Sequence, residues 1–118
     1  MNIDLIRAYA LKKKGVTEEF PFDETTLVFK VMGKMFLLAS LDSIPLSINL
    51  KCDPERAVEL RERYEAVLPG YHMNKTHWNT VIIDGSIPDK FIIEWIDDSY
   101  QIIIDNLSKA NRKKLDKL

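Results

Sequence analysis

Residues 89–107 constrain the fold of this chain more than any other stretch. Wound as an α-helix, they place Asp89, Glu94, Asp97, Asp98, Gln101 and Asp105 on one polar stripe. Phe91, Ile92, Ile93, Trp95, Ile96, Tyr100, Ile102, Ile103, Ile104 and Leu107 fill the rest of the circumference. A helix apolar over so wide an arc has to be covered on several sides, by a sheet beneath it and the first helix beside it. Trp95 falls inside that arc and reads as core, while the acidic stripe reads as the solvated face. Ser86, with Asp89 three residues later and Pro88 between them, supplies a start resembling a capping box.

The sheet is signalled upstream. Residues 26–32 are rich in β-branched and aromatic types, Gly33-Lys34 marks a tight turn, and residues 35–41 return, which predicts a hairpin. Residues 46–51 alternate, with Leu46, Ile48 and Leu50 pointing one way and Ser47, Asn49 and Lys51 the other. A strand with one wet face implies an antiparallel sheet covered by helices on one side only. Residues 78–83 read as a further strand ending at Asp84-Gly85. Asn2 caps a first helix running to about Lys14, which Gly15 stops. Asp53 and Pro54 open a second helix over residues 55–68, charged on most of its surface, with Glu59 and Arg63 at ion-pair spacing and Pro69-Gly70 ending it. Residues 18–23 read as a connecting segment and residues 108–118 as a basic tail or short terminal helix. The sum is an α+β chain with two layers, the first and last long helices packed on one face of the sheet.

At 118 residues the chain has the length of one compact domain. No apolar run approaches the roughly 20 residues needed to span a bilayer, and the N-terminus lacks the pattern of a signal peptide. Cys52 is the only cysteine, so no internal disulfide can form, and a reducing, cytoplasmic location is expected, with a monomer favoured and no membrane partner. A net charge of −1 argues against a wholly basic nucleic-acid binder. The charge is uneven, however. Lys12, Lys13 and Lys14 form one basic cluster and Lys109, Arg112, Lys113, Lys114 and Lys117 another, so a near-neutral total can hide a basic face.

Residues 70–81 gather both histidines, Tyr71, Trp78, Lys75 and the asparagines Asn74 and Asn79. Aromatic faces, amides and a cation suit a planar or anionic ligand such as nucleic acid, and are equally the ingredients of a hydrogen-bonded structural turn. The block is expected to be ordered and partly exposed, beside the wet face of the sheet.

The runs Glu18-Glu19-Phe20-Pro21-Phe22, Leu46-Ser47-Ile48-Asn49-Leu50-Lys51-Cys52-Asp53-Pro54, Pro69-Gly70-Tyr71-His72-Met73-Asn74-Lys75-Thr76-His77-Trp78-Asn79-Thr80-Val81 and Asp84-Gly85-Ser86-Ile87-Pro88-Asp89, in this order, resemble the MmcQ/YjbR family of small bacterial proteins. The resemblance covers nearly the whole chain. It implies a two-layer CyaY-like (frataxin-like) α+β fold and DNA binding through a double wing motif, in which two β-hairpins act as wings. It carries over no catalytic residues. Lys12-Lys13-Lys14 before Gly15 departs from the family pattern by being more basic.

Together these readings predict a non-enzymatic DNA-binding protein of modest, salt-dependent affinity. Lys30, Lys34, Lys51 and Lys75 would neutralise phosphates, Asn49, Asn74 and Asn79 would hydrogen-bond, and Tyr71, His72, His77 or Trp78 would stack. The alternative is a protein-interaction or regulatory adaptor module using the same face. Glu18, Glu19, Asp23 and Glu24 make a weak metal set, and His72 and His77 would face opposite ways in one strand, so no metal or cofactor is expected. Nor does the chain carry a nucleophile elbow, a Gly-rich phosphate loop or zinc spacing.

Overall fold

The computed structural model describes every residue except His72. Its elements are α1 (Ile3–Leu11), β1 (Val16–Glu19), β2 (Thr26–Val31), β3 (Lys34–Ser40), β4 (Ser47–Lys51), α2 (Pro54–Arg63), β5 (Val67–Pro69), β6 (Trp78–Ile82), α3 (Asp89–Asp105) and α4 (Lys109–Asp116). The strands form one antiparallel sheet in the order β1-β2-β3-β4-β6-β5. The helices lie on one face, as the one-sided alternation of β4 predicts.

Local chemistry explains most boundaries. Asn2 caps α1 by accepting from Leu5 N at 2.9 Å. The β2–β3 turn has positive φ at both Met32 and Gly33, the left-handed pair whose twist matches a two-residue hairpin. The register slips by one residue between Phe29 and Lys30, leaving Phe36 as the extra residue of a bulge on β3. Phe36 and Leu37 are consequently both buried in the helix-side core with Ile48, Ile96 and Trp95. Ser99, fully buried on α3, donates to Phe36 O at 2.5 Å and accepts from Lys51 N at 2.9 Å. One hydroxyl thus ties α3 to the bulge and to the end of β4.

Several boundaries differ from the sequence reading. The expected connector over 18–23 begins as an edge strand, because Glu18 and Glu19 are neutralised from outside the strand by Arg7 and Lys30. The second helix stops at Arg63, and Val67 and Leu68 belong to β5, pairing with Val81 and Thr80. Within α2, Glu59 pairs with Arg56 at 2.7 Å. Helix α1 ends at Leu11, three residues before Lys14, and α3 ends at Asp105. Ser86 turns back to Asp84 instead of capping α3. The basic tail is a helix, capped by Ser108 and anchored by buried Leu115. No helix among the described residues is long and apolar enough to cross a membrane.

The helix-free face is less wet than expected. Val28, Leu38 and Trp78 form a small second core there, flanked by Met35 and Met73. Ser47 and Asn49 point to this face yet are buried, on the floor of a groove rimmed by Phe22, Tyr71 and Met73.

Candidate functional site

Residues 70–78 fold back on themselves through their own backbone. Gly70 N donates to Trp78 O at 2.9 Å, and Asn74 O accepts from His77 N and Trp78 N. Asn74 Oδ1 accepts from Thr76 N at 2.9 Å, the side-chain turn that asparagine favours. Gly70 is required by a close approach: a Cβ there would sit 2.8 Å from Trp78 Cβ. The loop is tied outward by Tyr71 N to Thr80 Oγ1, by Arg61 to Lys75 O, and by Cys52 N to His77 O.

Within this loop Tyr71, Asn74, Lys75 and His77 are exposed. Trp78 and Asn79 are not, and the contact roles expected for them are corrected. Trp78 is 8% accessible and packs on Val28 and Leu38, so its ring offers no stacking face. Asn79 lies on the helix side of β6, 2% accessible, with Nδ2 donating to Ala57 O at 3.2 Å. Two other candidates are diverted: Asn49 is buried in the groove floor, and Lys30 pairs with Glu19 at 2.5 Å. Lys75 reaches Gly70 O at 3.3 Å, while Lys51 is half-buried at the end of β4. Lys34 stands exposed at the β2–β3 hairpin with no ion pair among the described residues. His72 lies outside the described residues. The predicted set therefore does not assemble into one face.

The topology brings other residues together. Register places the start of β1, the β2–β3 turn, the end of β4, and the 70–77 loop joining β5 to β6 at the same end of the sheet. The 12–15 turn and α4 join this end. Lys14 Nζ donates to Asp116 O at 2.9 Å, Tyr100 Oη donates to Lys14 O at 2.6 Å, and Gly15 lies against Leu115, Leu118 and Val31. Lys13 is absorbed locally, paired with Asp97 and lying over the Tyr9 and Tyr100 rings. Lys12, Lys34, Lys109, Lys113, Lys114 and Lys117 remain exposed, with no salt bridge among the described residues. Arg112 holds Asp116 at 3.6 Å. The opposite end carries Asp4, Asp23, Glu24, Asp42, Glu65, Asp84 and Asp89 at or beside the element termini, offset by Arg63 and Lys90. Asp53 and Asp105 partly offset the basic end, so the net charge of −1 conceals an excess of basic groups at one end and of acidic groups at the other.

Three of the four acidic residues weighed as a metal set have other partners, Glu19 being paired with Lys30. Glu18 is bound by the Arg7 guanidinium, which lowers the Glu18 pKa, and Asp23 accepts from Thr25 N and Thr26 N, which lowers its own. Among the described residues no group of three or more His, Cys, Asp or Glu is placed to hold an ion.

A one-sided antiparallel sheet covered by helices, with a polarised end, defines a small α+β protein. The chain belongs to the YjbR family, whose model matches residues 11–102. It is 34% identical to the uncharacterized protein YjbR of Escherichia coli K12 over 115 residues, 98% of each chain. With the uncharacterized protein YbdF of Escherichia coli O157:H7 it shares 38% identity over 97 residues, 81% of this chain and 79% of that one. Among solved structures, the Deinococcus radiodurans protein DR2400 superposes with a TM-score of 0.92 at 39% identity, covering 97% of this chain and 87% of that one. A Pseudomonas syringae protein superposes with a TM-score of 0.75 at 30% identity, covering 86% and 98% respectively.

Proposed function

We propose that this chain is a non-enzymatic DNA-binding protein whose contact surface is the basic end of the sheet. The observation that carries the reading is the convergence of the 12–14 turn, Lys34 and α4, elements far apart in sequence, with six exposed lysines that no acid neutralises among the described residues. Lysines so placed act as point charges for phosphate, releasing counterions without reading sequence. Two hairpins, β2–β3 and β5–β6, direct their turns to this end and would serve as the two wings. Tyr71 and His77, exposed on the second, are the rings left for contact with a base or sugar.

Titration of fluorescent single- and double-stranded DNA at low and moderate salt tests the reading. The native chain should bind at low salt, and K113E/K114E should weaken binding about equally for all sequences, reducing the salt slope by roughly two units. Removing Lys30 and Glu19 together (K30M/E19Q) should change little, because the pair carries no net charge. No binding at low salt by the native chain would sink the proposal.

One observation favours a second reading, a protein-interaction adaptor. Ile44, 97% exposed, and Phe22 lie toward the acidic end, where a partner would be held by apolar contacts. Such an interface would persist as salt rises, which DNA binding would not.

A further inference from the structure

We infer that the groove on the helix-free face is a binding site for a neutral, planar heterocycle with an amide-like edge, the class that includes nucleobases and nucleosides. The groove lies apart from the lysines of the basic end, although Tyr71 borders both. The groove has a volume of about 340 Å³, within the range of small-molecule sites. Its floor consists of two cross-strand rows, Leu38–Asn49–Thr80 and Thr26–Ser40–Ser47. The rows stand two residues apart, about 7 Å along the strands. The floor is therefore short along the strands and broad across them, a shape for a ring system and not for an extended peptide.

The polar groups of the floor are preset. Tyr71 N donates to Thr80 Oγ1 at 2.9 Å, and that hydroxyl donates to Asn49 Oδ1 at 2.5 Å. In this relay the amide oxygen is the acceptor. The relay leaves Asn49 Nδ2, with two hydrogens, engaged by no protein group among the described residues, as are the Ser40 and Ser47 hydroxyls. A donor pair beside two hydroxyls complements the carbonyl and N–H edge of a lactam. Charge narrows the class. No lysine or arginine lines the groove, and its one acid, Asp23, is spent on Thr25 N and Thr26 N. Among the described residues a phosphate therefore finds no counter-charge, and the only formal charge is the Asp23 carboxylate, turned to its own backbone donors. At the rim, Phe22 and Tyr71 are 64% and 69% exposed and supply faces for stacking.

The test is an amide NMR titration of the labelled chain with uridine and adenosine. Saturable shifts are expected at Ser47, Asn49, Tyr71 and Thr80, unaltered by added salt, with the 5′-monophosphates binding no tighter than the nucleosides. Phe22→Ala, which removes an exposed ring from the rim and whose folding a thermal melt checks, should weaken binding about tenfold. The inference is overturned by absence of shifts at millimolar nucleoside, by shifts confined to the basic end, or by an equal response to a neutral disaccharide or an uncharged peptide. Because salt acts on the basic end and not on this groove, failure here is distinguishable from failure of DNA binding.

Discussion

Trp78 and Trp95 show how little a residue type says by itself. Trp95 was legible as core because its neighbours on α3 repeat with helical period. Trp78, amid histidine, asparagine and lysine, has the surroundings of a ligand contact, yet its strand position turns it onto Val28 and Leu38. Two side chains yield direct tests at this scale. Burial raises the Cys52 thiol to about 11, so its thiolate fraction at neutral pH is roughly 100-fold below that of an ordinary cysteine. Alkylation of the folded chain by iodoacetamide should be slow and should accelerate on unfolding in urea, as measured by mass spectrometry. Tyr9 donates to Asp97 at 2.6 Å, and this bond, with desolvation, raises its pKa to about 12. The neutral phenol is the form the fold favours. Its stabilisation is complete below the ordinary phenol pKa of about 10 and is lost as pH rises through about 12. Tyr9→Phe should show a smaller fall in urea midpoint between about pH 8 and about pH 11 than the native chain.

At the level of elements, α3 and the β2–β3 hairpin were legible because period and turn chemistry agree there. Edge strand β1 was not, since two adjacent glutamates read as loop until Arg7 and Lys30 are seen to pair with them. Nor was β5, because Val67 and Leu68 continue the apolar spacing of α2, and only pairing with β6 pulls them into the sheet. Asn79 was misread for a related reason: polar character suggests solvent, whereas β6 alternation turns it inward to Ala57. Ser99 went unnoticed as a short polar residue within an apolar helix, yet it joins three elements. Ser99→Ala should strip partners from Phe36 O and Lys51 N together, a loss of about 2–4 kcal/mol. Urea denaturation would measure it, and a loss under about 0.5 kcal/mol would show that water replaces the hydroxyl freely.

For the molecule as a whole, position along the sheet axis matters more than total charge. Composition revealed the two basic clusters but not that they meet, because the contact of the 12–15 turn with α4 spans about a hundred residues of chain. The polarity predicts behaviour that an isoelectric point near 6.1 does not. At neutral pH and low salt the protein should be retained on a cation exchanger through its basic end, despite its net negative charge. K113E/K114E should elute distinctly earlier, whereas removing the Lys30–Glu19 pair as K30M/E19Q should leave elution almost unchanged. Equal retention of the native chain and K113E/K114E would show that α4 does not lead the molecule onto an anionic surface.

The order β1-β2-β3-β4-β6-β5 leaves an open sheet with two outer strands of only four and three residues. Those strands govern how copies of the chain meet. On one border stand Glu18 and Glu19, each locked into an ion pair, and on the other Pro69, which has no N–H to offer. A second copy arriving at either border finds too few free backbone groups to continue the ladder, and meets charge or a missing donor. The protein can thus present a concave groove and a charged end at high concentration while its sheet resists growing from molecule to molecule into a fibre.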